Sequence, residues 1–181
     1  MQRQALQVEA QRLVQATRTD PLTGLGKRRL CDEAARGLAA DSNEPVGLAV
    51  LDLDHFKQVN GRHFHTLGDH VLVVVAARLR RTCLPGDVMV RLGGEDFAVV
   101  LRGMPPEAAQ RACERLRHTI GSHNEQALQP GLQVTVSIGL VTTQTPVEAG
   151  TMLARADALL YHVKRAGRDR VGVRAQSSES L

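Results

Sequence analysis

The apolar residues of this chain fall into compact blocks that alternate between strand-like and helix-like patterns. Residues 46–53 (VGLAVLDL) are apolar up to the aspartates, which predicts a strand buried on both faces. Residues 88–92 and 97–101 are two shorter strand-like runs joined across a Gly-Gly pair, which predicts a β-hairpin. A further strand is predicted at 132–141, which contains the alternating run VTVSIGLV.

The segments between these strands have the composition and spacing of helices. Apolar residues recur every three or four positions over 105–122, which is typical of an amphipathic helix. Further helices are predicted at 26–40, 68–83 and 147–165. Residues 55–60 are predicted to form a turn that enters a helix, and a loop separates them from the helix at 68–83. This order predicts a mixed α/β (α+β) fold, in which helices cover a layered sheet with an antiparallel centre.

The pattern divides the chain into one domain and two short attachments. Residues 1–19 are mostly polar and place Leu6 and Leu13 seven positions apart, which predicts a helical stalk or short coiled coil. A frayed terminal helix is the alternative. The domain itself is predicted at 20–172, and the Ser-rich end at 173–181 is predicted to be a flexible tail.

Composition and charge exclude several classes of protein. The 181 residues carry a net charge of +4 but no low-complexity basic tract, so neither nucleic acid nor a membrane surface is favoured as a partner. The longest apolar run, at 71–77, is too short to span a bilayer, and no signal-peptide pattern opens the chain. The three cysteines are scattered and odd in number, which is typical of reduced thiols, so we expect a cytoplasmic protein.

Three acidic residues stand at the ends of the predicted strands. Asp52 ends the buried strand, and Glu95 and Asp96 lie at the tip of the hairpin. A buried carboxylate is unfavourable unless it is paired, solvated or bound to metal. If the hairpin lies beside the first strand, Asp52 and Glu95 provide hard oxygen ligands for Mg²⁺, and Gly93 and Gly94 leave room for a nucleotide. The alternative is an exposed Gly-Gly turn with ordinary surface acids.

Other polar residues suit a nucleotide. A strand that runs into a helix start offers free N–H groups for phosphate, and Lys57 adds positive charge there. Asn60 and Asp69 carry groups that pair with guanine, although a helix cap and a surface acid are the alternatives. Lys164 and Arg168 stand four positions apart, which predicts a shared helix face and a clamp for triphosphate; a basic helix C-terminus that complements its dipole is the alternative.

Six ordered motifs closely resemble the GGDEF family. They are DPLTGL from residue 20, DLDHFKQVN from 52, GD at 68–69, RLGGEDF from 91, VSIGL at 136–140 and YHVKRAGRDR from 161. The resemblance implies a fold similar to the palm of nucleotidyl cyclases and polymerases, a central, mostly antiparallel sheet flanked by helices. It also implies a diguanylate cyclase, which joins two GTP molecules into cyclic di-GMP and releases pyrophosphate in bacterial second-messenger signalling.

The resemblance assigns the acidic residues to metal binding and catalysis. It implies that Mg²⁺ or Mn²⁺ is bound by Asp52, Leu53 and Glu95, and that Glu95 and Asp96 are catalytic. In-line attack of a 3′-hydroxyl on an α-phosphate agrees with this, because a metal activates the oxygen and neutralises charge.

The resemblance also implies how the nucleotide is held. Asn60 and Asp69 would contact guanine, and the remaining nucleotide-binding residues would be Phe56, Lys57, Gly93, Gly94, Lys164 and Arg168. Each domain would hold one GTP, so two domains must face each other with two-fold symmetry, which implies a homodimer. An upstream sensory domain would provide the input signal.

The chain departs from the family pattern at several positions. The fourth signature residue is Asp96 instead of Glu, and the usual Asn-Asp and Gly-His pairs are replaced at Gly61 and Phe64. The family's product-inhibition site, an Arg-x-x-Asp motif, keeps Asp87 but has Leu84 in place of the Arg. These departures leave a second hypothesis open, a catalytically degenerate GGDEF domain that binds GTP or cyclic di-GMP as an effector module.

Overall fold

The computed structural model describes residues 18–41, 44–122, 130–145 and 147–176, with the side chains at 37–41 and 61–65 excepted. Six strands and four helices follow one another along these residues. The strands are β1 (Gly26–Lys27), β2 (Val46–Leu53), β3 (Val88–Gly93), β4 (Asp96–Arg102), β5 (Val136–Thr143) and β6 (Val171–Gln176). The helices are α1 (Arg28–Asp41), α2 (Phe56–Thr82), α3 (Pro106–Gly121) and α4 (Ala149–Arg165).

The six strands form one sheet in the order β1-β3-β4-β2-β5-β6. The central strand β2 is antiparallel to both of its neighbours, β4 and β5, and β3 is antiparallel to β4. The two edge strands are parallel to their partners, β1 to β3 and β6 to β5. The predicted fold class, a mostly antiparallel sheet flanked by helices, is confirmed.

All eight residues of β2 are buried because helices cover both faces of the sheet. Ala49 and Leu51 belong to the core that α2 and α3 form on one face. Leu48 and Val50 belong to the core that α1 and α4 form on the other. Successive side chains of a strand point to opposite faces, so a continuous apolar run serves two layers at once. The prediction of a doubly buried strand at 46–53 is confirmed.

The region between β2 and β3 is a single helix of 27 residues, α2, so the predicted loop between residues 60 and 68 is wrong. Gly61 and Gly68 each weaken a helix by about 1 kcal/mol relative to Ala. Burial of Phe56, Val59 and Leu67 against the sheet outweighs that penalty, because tertiary packing provides most of a helix's stability in a protein. Across the described part of the chain, no helix has both the length and the apolar character needed to cross a bilayer.

The C-terminal end of the sheet also differs from the prediction. Strand β6 runs to Gln176, so the first four residues of the predicted tail at 173–181 are part of the sheet. Pairing with β5 satisfies the backbone groups on one side of β6, and Val171 and Val173 pack against the core. Strand β5 begins at residue 136 and not at 132. Residues 1–17 of the predicted stalk and 177–181 of the predicted tail lie outside the described residues.

Helix α4 lies directly on the backbone of β5 because Gly139 has no side chain. A Cβ at this position would overlap the main-chain oxygen of Ala156 and come within 2.8 Å of the Leu160 nitrogen. On β6, a Cβ at Gly172 would overlap the side chain of Val163. The two glycines therefore permit a close approach that brings the C-terminal end of α4 to the end of β2.

We expect Gly139→Ala to lower the free energy of unfolding by about 2 kcal/mol, because the added methyl group meets backbone atoms that cannot move independently. Urea denaturation measures the change. Gly150→Ala is the matched control: it lies in α4, where a Cβ would meet only Glu148 Oε1, at 3.9 Å, among the described residues, so it should be neutral or slightly stabilising. Equal stabilities of the two variants would contradict the close approach.

Candidate functional site

The predicted acidic residues meet at one end of the sheet. Antiparallel pairing of β2 with β4 places Asp52 directly opposite Asp96. The next residue, Leu53, donates its N–H to the Glu95 carbonyl oxygen at 3.5 Å. Because β2 is covered on both faces, Asp52 is only 8% exposed. The β3–β4 hairpin therefore lies beside β2, which is the condition for a site shared by Asp52 and Glu95.

The carboxylate of Asp52 is only partly neutralised. Lys164 Nζ donates a hydrogen bond to Asp52 Oδ2. Oδ1 is buried and, while the neighbouring acids are ionised, accepts no hydrogen bond from the residues that the structure describes. A buried carboxylate oxygen without a partner is costly. It is the kind of atom that a bound cation would satisfy.

The pKa values of the two neighbouring acids, Glu95 and Asp96, are raised. Burial raises the pKa of Glu95, the negative charge of Asp52 raises it further, and Lys164 and Lys57 offset part of the effect. Burial also raises the pKa of Asp96 to about 6, and the charge of Asp52, a side-chain hydrogen bond between protonated Asp96 and Asp52, and the charge of Glu95 raise it further. Three carboxylates with one close lysine leave a surplus of negative charge at the end of the sheet.

These residues fit a divalent cation. Carboxylate oxygens are hard ligands, and Mg²⁺ is typically held by one or two carboxylates together with phosphates and water. The side chain of Leu53 is buried and apolar, so only its main-chain oxygen could serve as a ligand. Within the described residues, no three or more His, Cys, Asp or Glu side chains form a ready-made metal site. The arrangement therefore suits a cation that arrives with a phosphate ligand.

The Gly-Gly tip of the hairpin borders open space. Gly94 has a φ of 49°, in the left-handed region that favours glycine. A Cβ built on Gly93 or Gly94 would meet no atom of the described residues within 4 Å. The described residues therefore leave the backbone at this tip open, and the approach of a nucleotide there stays a prediction.

Arg91 holds this tip in place, a role that the sequence analysis did not assign. Its Nε and Nη2 donate to the Gly94 carbonyl oxygen at 3.0 and 2.8 Å, and its Nη1 lies 3.2 Å from Asp20 Oδ2. Thr23 donates to the same carboxylate through its N–H and hydroxyl groups. Burial raises the pKa of Asp20, but these hydrogen bonds outweigh it and the pKa is lowered. The Asp-x-x-Thr spacing was the available signal, because an Asp side chain often accepts hydrogen bonds from nearby main-chain groups in a turn.

Helix α2 begins beside the acidic cluster without a side-chain cap. Its N-cap residue, His55, has a φ of 57° and makes no capping hydrogen bond through its side chain. A non-glycine residue in this conformation is strained, and such strain concentrates at functional sites. The first N–H groups of a helix lack intrahelical partners and favour anions. Phe56 is buried in the core, so only its main chain could bind a ligand, whereas Lys57 is exposed.

The predicted guanine-binding residues both lie on α2. Asn60 is half-buried and Asp69 is exposed. The Asn60 side chain lies against Gly68 and needs a glycine there. A Cβ at Gly68 would overlap Asn60 Oδ1 and lie 3.1 Å from the ring of Phe56. The structure therefore explains the GD pair at 68–69 partly through the placement of Asn60.

Lys164 and Arg168 do not share a helix face, so that prediction is wrong. Helix α4 ends at Arg165, and Gly167, with a φ of 118°, follows it. The N–H of Arg168 bonds to the Val163 oxygen and the N–H of Gly167 to the Lys164 oxygen, which is a Schellman motif. Arg168 lies beyond the helix with a φ of 62°, and its side chain is exposed. Lys164 instead reaches Asp52.

Asp87, predicted in a degenerate inhibition site, has a local structural role. Its Oδ2 accepts the N–H of Leu84 and its Oδ1 accepts the N–H of Arg102. Arg102 is at the far end of β4 from Asp96, so Asp87 lies about 20 Å from the acidic cluster along the strand. Both carboxylate oxygens accept main-chain N–H groups, one in the turn and one at the end of β4.

Known proteins resemble this chain in sequence over most of its length. The family described as diguanylate cyclase, GGDEF domain, matches residues 17–170. The chain is 39% identical over 158 residues to diguanylate cyclase DgcP of Pseudomonas aeruginosa, which covers 86% of this chain and 24% of that protein. It is 34% identical to probable diguanylate cyclase DgcT of Escherichia coli, over 86% of this chain and 35% of that protein. The chain thus spans about a quarter to a third of these two relatives.

Solved structures share the fold over nearly the whole chain. The coiled coil and GGDEF domain of DgcB from Caulobacter crescentus, in complex with c-di-GMP, superposes with a TM-score of 0.86 at 28% identity and covers 96% of this chain and 94% of that chain. Diguanylate cyclase SiaD of Pseudomonas aeruginosa, in complex with its activator SiaC, has a TM-score of 0.83 at 32% identity and covers 95% of this chain and 67% of that chain.

The raised pKa of Asp96 predicts a dependence of stability on pH in the metal-free protein. The folded protein holds a proton on Asp96 up to about pH 6, whereas the unfolded chain loses it near pH 4. The contribution of this group to stability is therefore full below pH 4 and is lost as the pH rises through 6. Because Asp96 is half-buried and screened by water, we expect a change of about 1 kcal/mol.

Urea denaturation in EDTA at several pH values between 4 and 7 measures this effect. The stability of Asp96→Asn relative to the unmodified protein should rise across this interval, because the amide cannot ionise. A stability difference between the two proteins that does not change with pH would contradict the proposed electrostatics of the cluster.

Proposed function

Because this chain belongs to the GGDEF family, we propose that it is a diguanylate cyclase, which joins two GTP molecules into cyclic di-GMP and releases pyrophosphate. The observation that carries the proposal is the buried Asp52, with one unpartnered oxygen, beside Glu95 and the open Gly-Gly tip. A surface turn with ordinary acids would not bury a carboxylate between two helical layers.

The proposed cofactor is Mg²⁺ or Mn²⁺, bound by the carboxylates of Asp52 and Glu95 and the main-chain oxygen of Leu53. When bound, the metal ion would activate the attacking 3′-hydroxyl and neutralise charge that develops on the α-phosphate. Glu95 and Asp96 would be the catalytic carboxylates of the reaction centre. Their raised pKa values support this, because a bound cation favours the ionised forms that the metal-free cluster opposes.

The proposed nucleotide site extends from the acidic cluster along α2. The uncapped helix start at residues 55–57 would bind phosphate through its N–H groups, with Lys57 beside it. Asn60 and Asp69, further along α2, would contact guanine. Lys164, now held by Asp52, would bind the triphosphate together with Arg168 once a cation occupies the carboxylate.

The proposed active species is a homodimer, because each domain would hold one GTP and the product contains two guanosine monophosphates. The relative from Caulobacter crescentus combines a coiled coil with its GGDEF domain. This supports a role for residues 1–19 as a dimerising stalk, with an upstream sensory domain that provides the signal. The three cysteines are free thiols, which supports a cytoplasmic location.

A domain that binds GTP or cyclic di-GMP without turnover is less well supported. Asp96 lies opposite Asp52, so its side chain belongs to the acidic cluster although it is shorter than the usual Glu. Residue 64 lies inside α2, where the backbone is helical, so the replacement by Phe at this position does not require a positive φ. These departures therefore leave the proposed metal, guanine and phosphate residues in place.

The direct test is incubation of the dimeric protein with GTP and Mg²⁺, with pyrophosphate and cyclic di-GMP measured together. We expect turnover, and we expect Glu95→Ala to reduce the rate on the order of 100-fold or more, because it removes a metal ligand and a transition-state charge. A folded dimer whose turnover equals that of Glu95→Ala would overturn the cyclase proposal. Cyclic di-GMP binding by the same dimer would then favour the binding module.

A second prediction concerns Gly68. A methyl group at this position would displace the mobile end of the Asn60 side chain while it improves the helix propensity of α2. We expect Gly68→Ala to remain folded but to lose discrimination between GTP and ATP to the same extent as Asn60→Ala. Competition binding measures the ratio of the two affinities. An unchanged ratio in Gly68→Ala with a reduced ratio in Asn60→Ala would contradict this placement.

A further inference from the structure

Asp54 is a buried acidic residue for which the proposed reaction has no use. It follows β2 directly and is 6% exposed. Its Oδ1 accepts the hydroxyl of Ser137 at 2.7 Å, and its Oδ2 accepts both the hydroxyl of Thr135 at 2.8 Å and the main-chain N–H of Asp169 at 3.0 Å. Both oxygens are therefore engaged, unlike Oδ1 of Asp52 two residues earlier. Asp54 joins β2, β5 and the turn after α4.

The turn that Asp54 holds is strained. Arg168 and Asp169 both lie in the left-handed region, with φ values of 62° and 43°. Two consecutive non-glycine residues in this conformation need fixed contacts to remain there, because L-residues disfavour it. The hydrogen bond from the Asp169 N–H to Asp54 is one such contact, and it acts on the residue next to Arg168.

A second anchor reaches the same turn from α3. Arg117 Nη1 donates to Asp169 Oδ1 at 2.8 Å, and the two side chains form an ion pair. Arg117 is also paired with Glu114 on its own helix, at 2.9 Å. The turn is thus held on one side by a buried carboxylate and on the other by a guanidinium from a separate element.

We propose that Asp54 and Arg117 are positioning residues that hold the left-handed turn at residues 168–169, so that the exposed guanidinium of Arg168 meets the outer phosphates of the bound nucleotide. This inference rests on the proposed function, since it needs a guanine nucleotide in the site. It adds that phosphate recognition depends on two side chains that never contact the nucleotide. Neither residue belongs to a local sequence pattern that indicates this role.

The test compares the affinities of the full chain for two ligands in Mg²⁺ buffer. One is a GTP analogue with a methylene group between the α- and β-phosphorus atoms, and the other is GMP, which lacks the outer phosphates. We expect Arg168→Ala to weaken the affinity for the analogue about tenfold and to leave the affinity for GMP unchanged, since a charged hydrogen bond to phosphate is lost. Asp54→Ala and Arg117→Ala should produce the same selective loss.

Matched controls separate positioning from stability. Ser137→Ala removes a partner of Asp54 but keeps its bond to Asp169, and Glu114→Ala removes a partner of Arg117 but keeps its ion pair with Asp169. Both controls should keep the ratio of the analogue affinity to the GMP affinity, even if their melting temperatures fall. If Asp54→Ala does not fold, Arg117→Ala, at a partly exposed position, decides the question.

A further loss of analogue affinity in Arg117→Ala/Arg168→Ala, beyond that of Arg168→Ala, would overturn the proposal, because the anchors would then act apart from Arg168. An equal loss for the analogue and GMP, or no loss, would also overturn it. Failure of the proposed nucleotide site is distinguishable from these outcomes, because the unmodified protein would then bind neither ligand. Failure of catalysis alone would leave both affinities of the unmodified protein in place and would be detected by the turnover assay.

Discussion

The structure depends on the burial of one carboxylate. Asp52 is at the end of a strand that helices cover on both faces, so water cannot solvate it fully. Such a charge destabilises a protein unless other groups compensate it. Lys164 compensates one oxygen, and the other has no partner within the described residues. The fold therefore holds an unfavourable group at the point where a cation and a phosphate would compensate it.

The rest of the fold keeps that point fixed. Pairing with β4 places Asp96 opposite Asp52, and Arg91 ties the tip of the hairpin to the Asp20 turn. On the other side, Gly139 lets α4 approach the sheet closely, which brings Lys164 to the carboxylate. Each of these contacts joins segments that are distant in the sequence. The acidic cluster is thus a product of sheet pairing and close helix packing together.

The sequence predicts the elements better than it predicts the contacts between them. The doubly buried strand at 46–53 and the hairpin follow from apolar runs and a Gly-Gly pair, which are local signals, and both are confirmed. The loop predicted inside α2 is wrong because packing outweighs the local effect of glycine. The shared helix face of Lys164 and Arg168 is wrong because Gly167 ends the helix between them. The parts played by Arg91, Asp54 and Arg117 depend on tertiary contacts that no local pattern encodes.

The most direct measurement is a crystal structure with Mn²⁺ and the methylene-bridged GTP analogue, with the metal located by its anomalous scattering. Our account predicts a peak between the carboxylates of Asp52 and Glu95, with Asp52 Oδ1 as a ligand and Lys164 moved from Asp52 to phosphate. A metal bound only to phosphate, with Asp52 Oδ1 still without a partner and Lys164 still on Asp52, would contradict it.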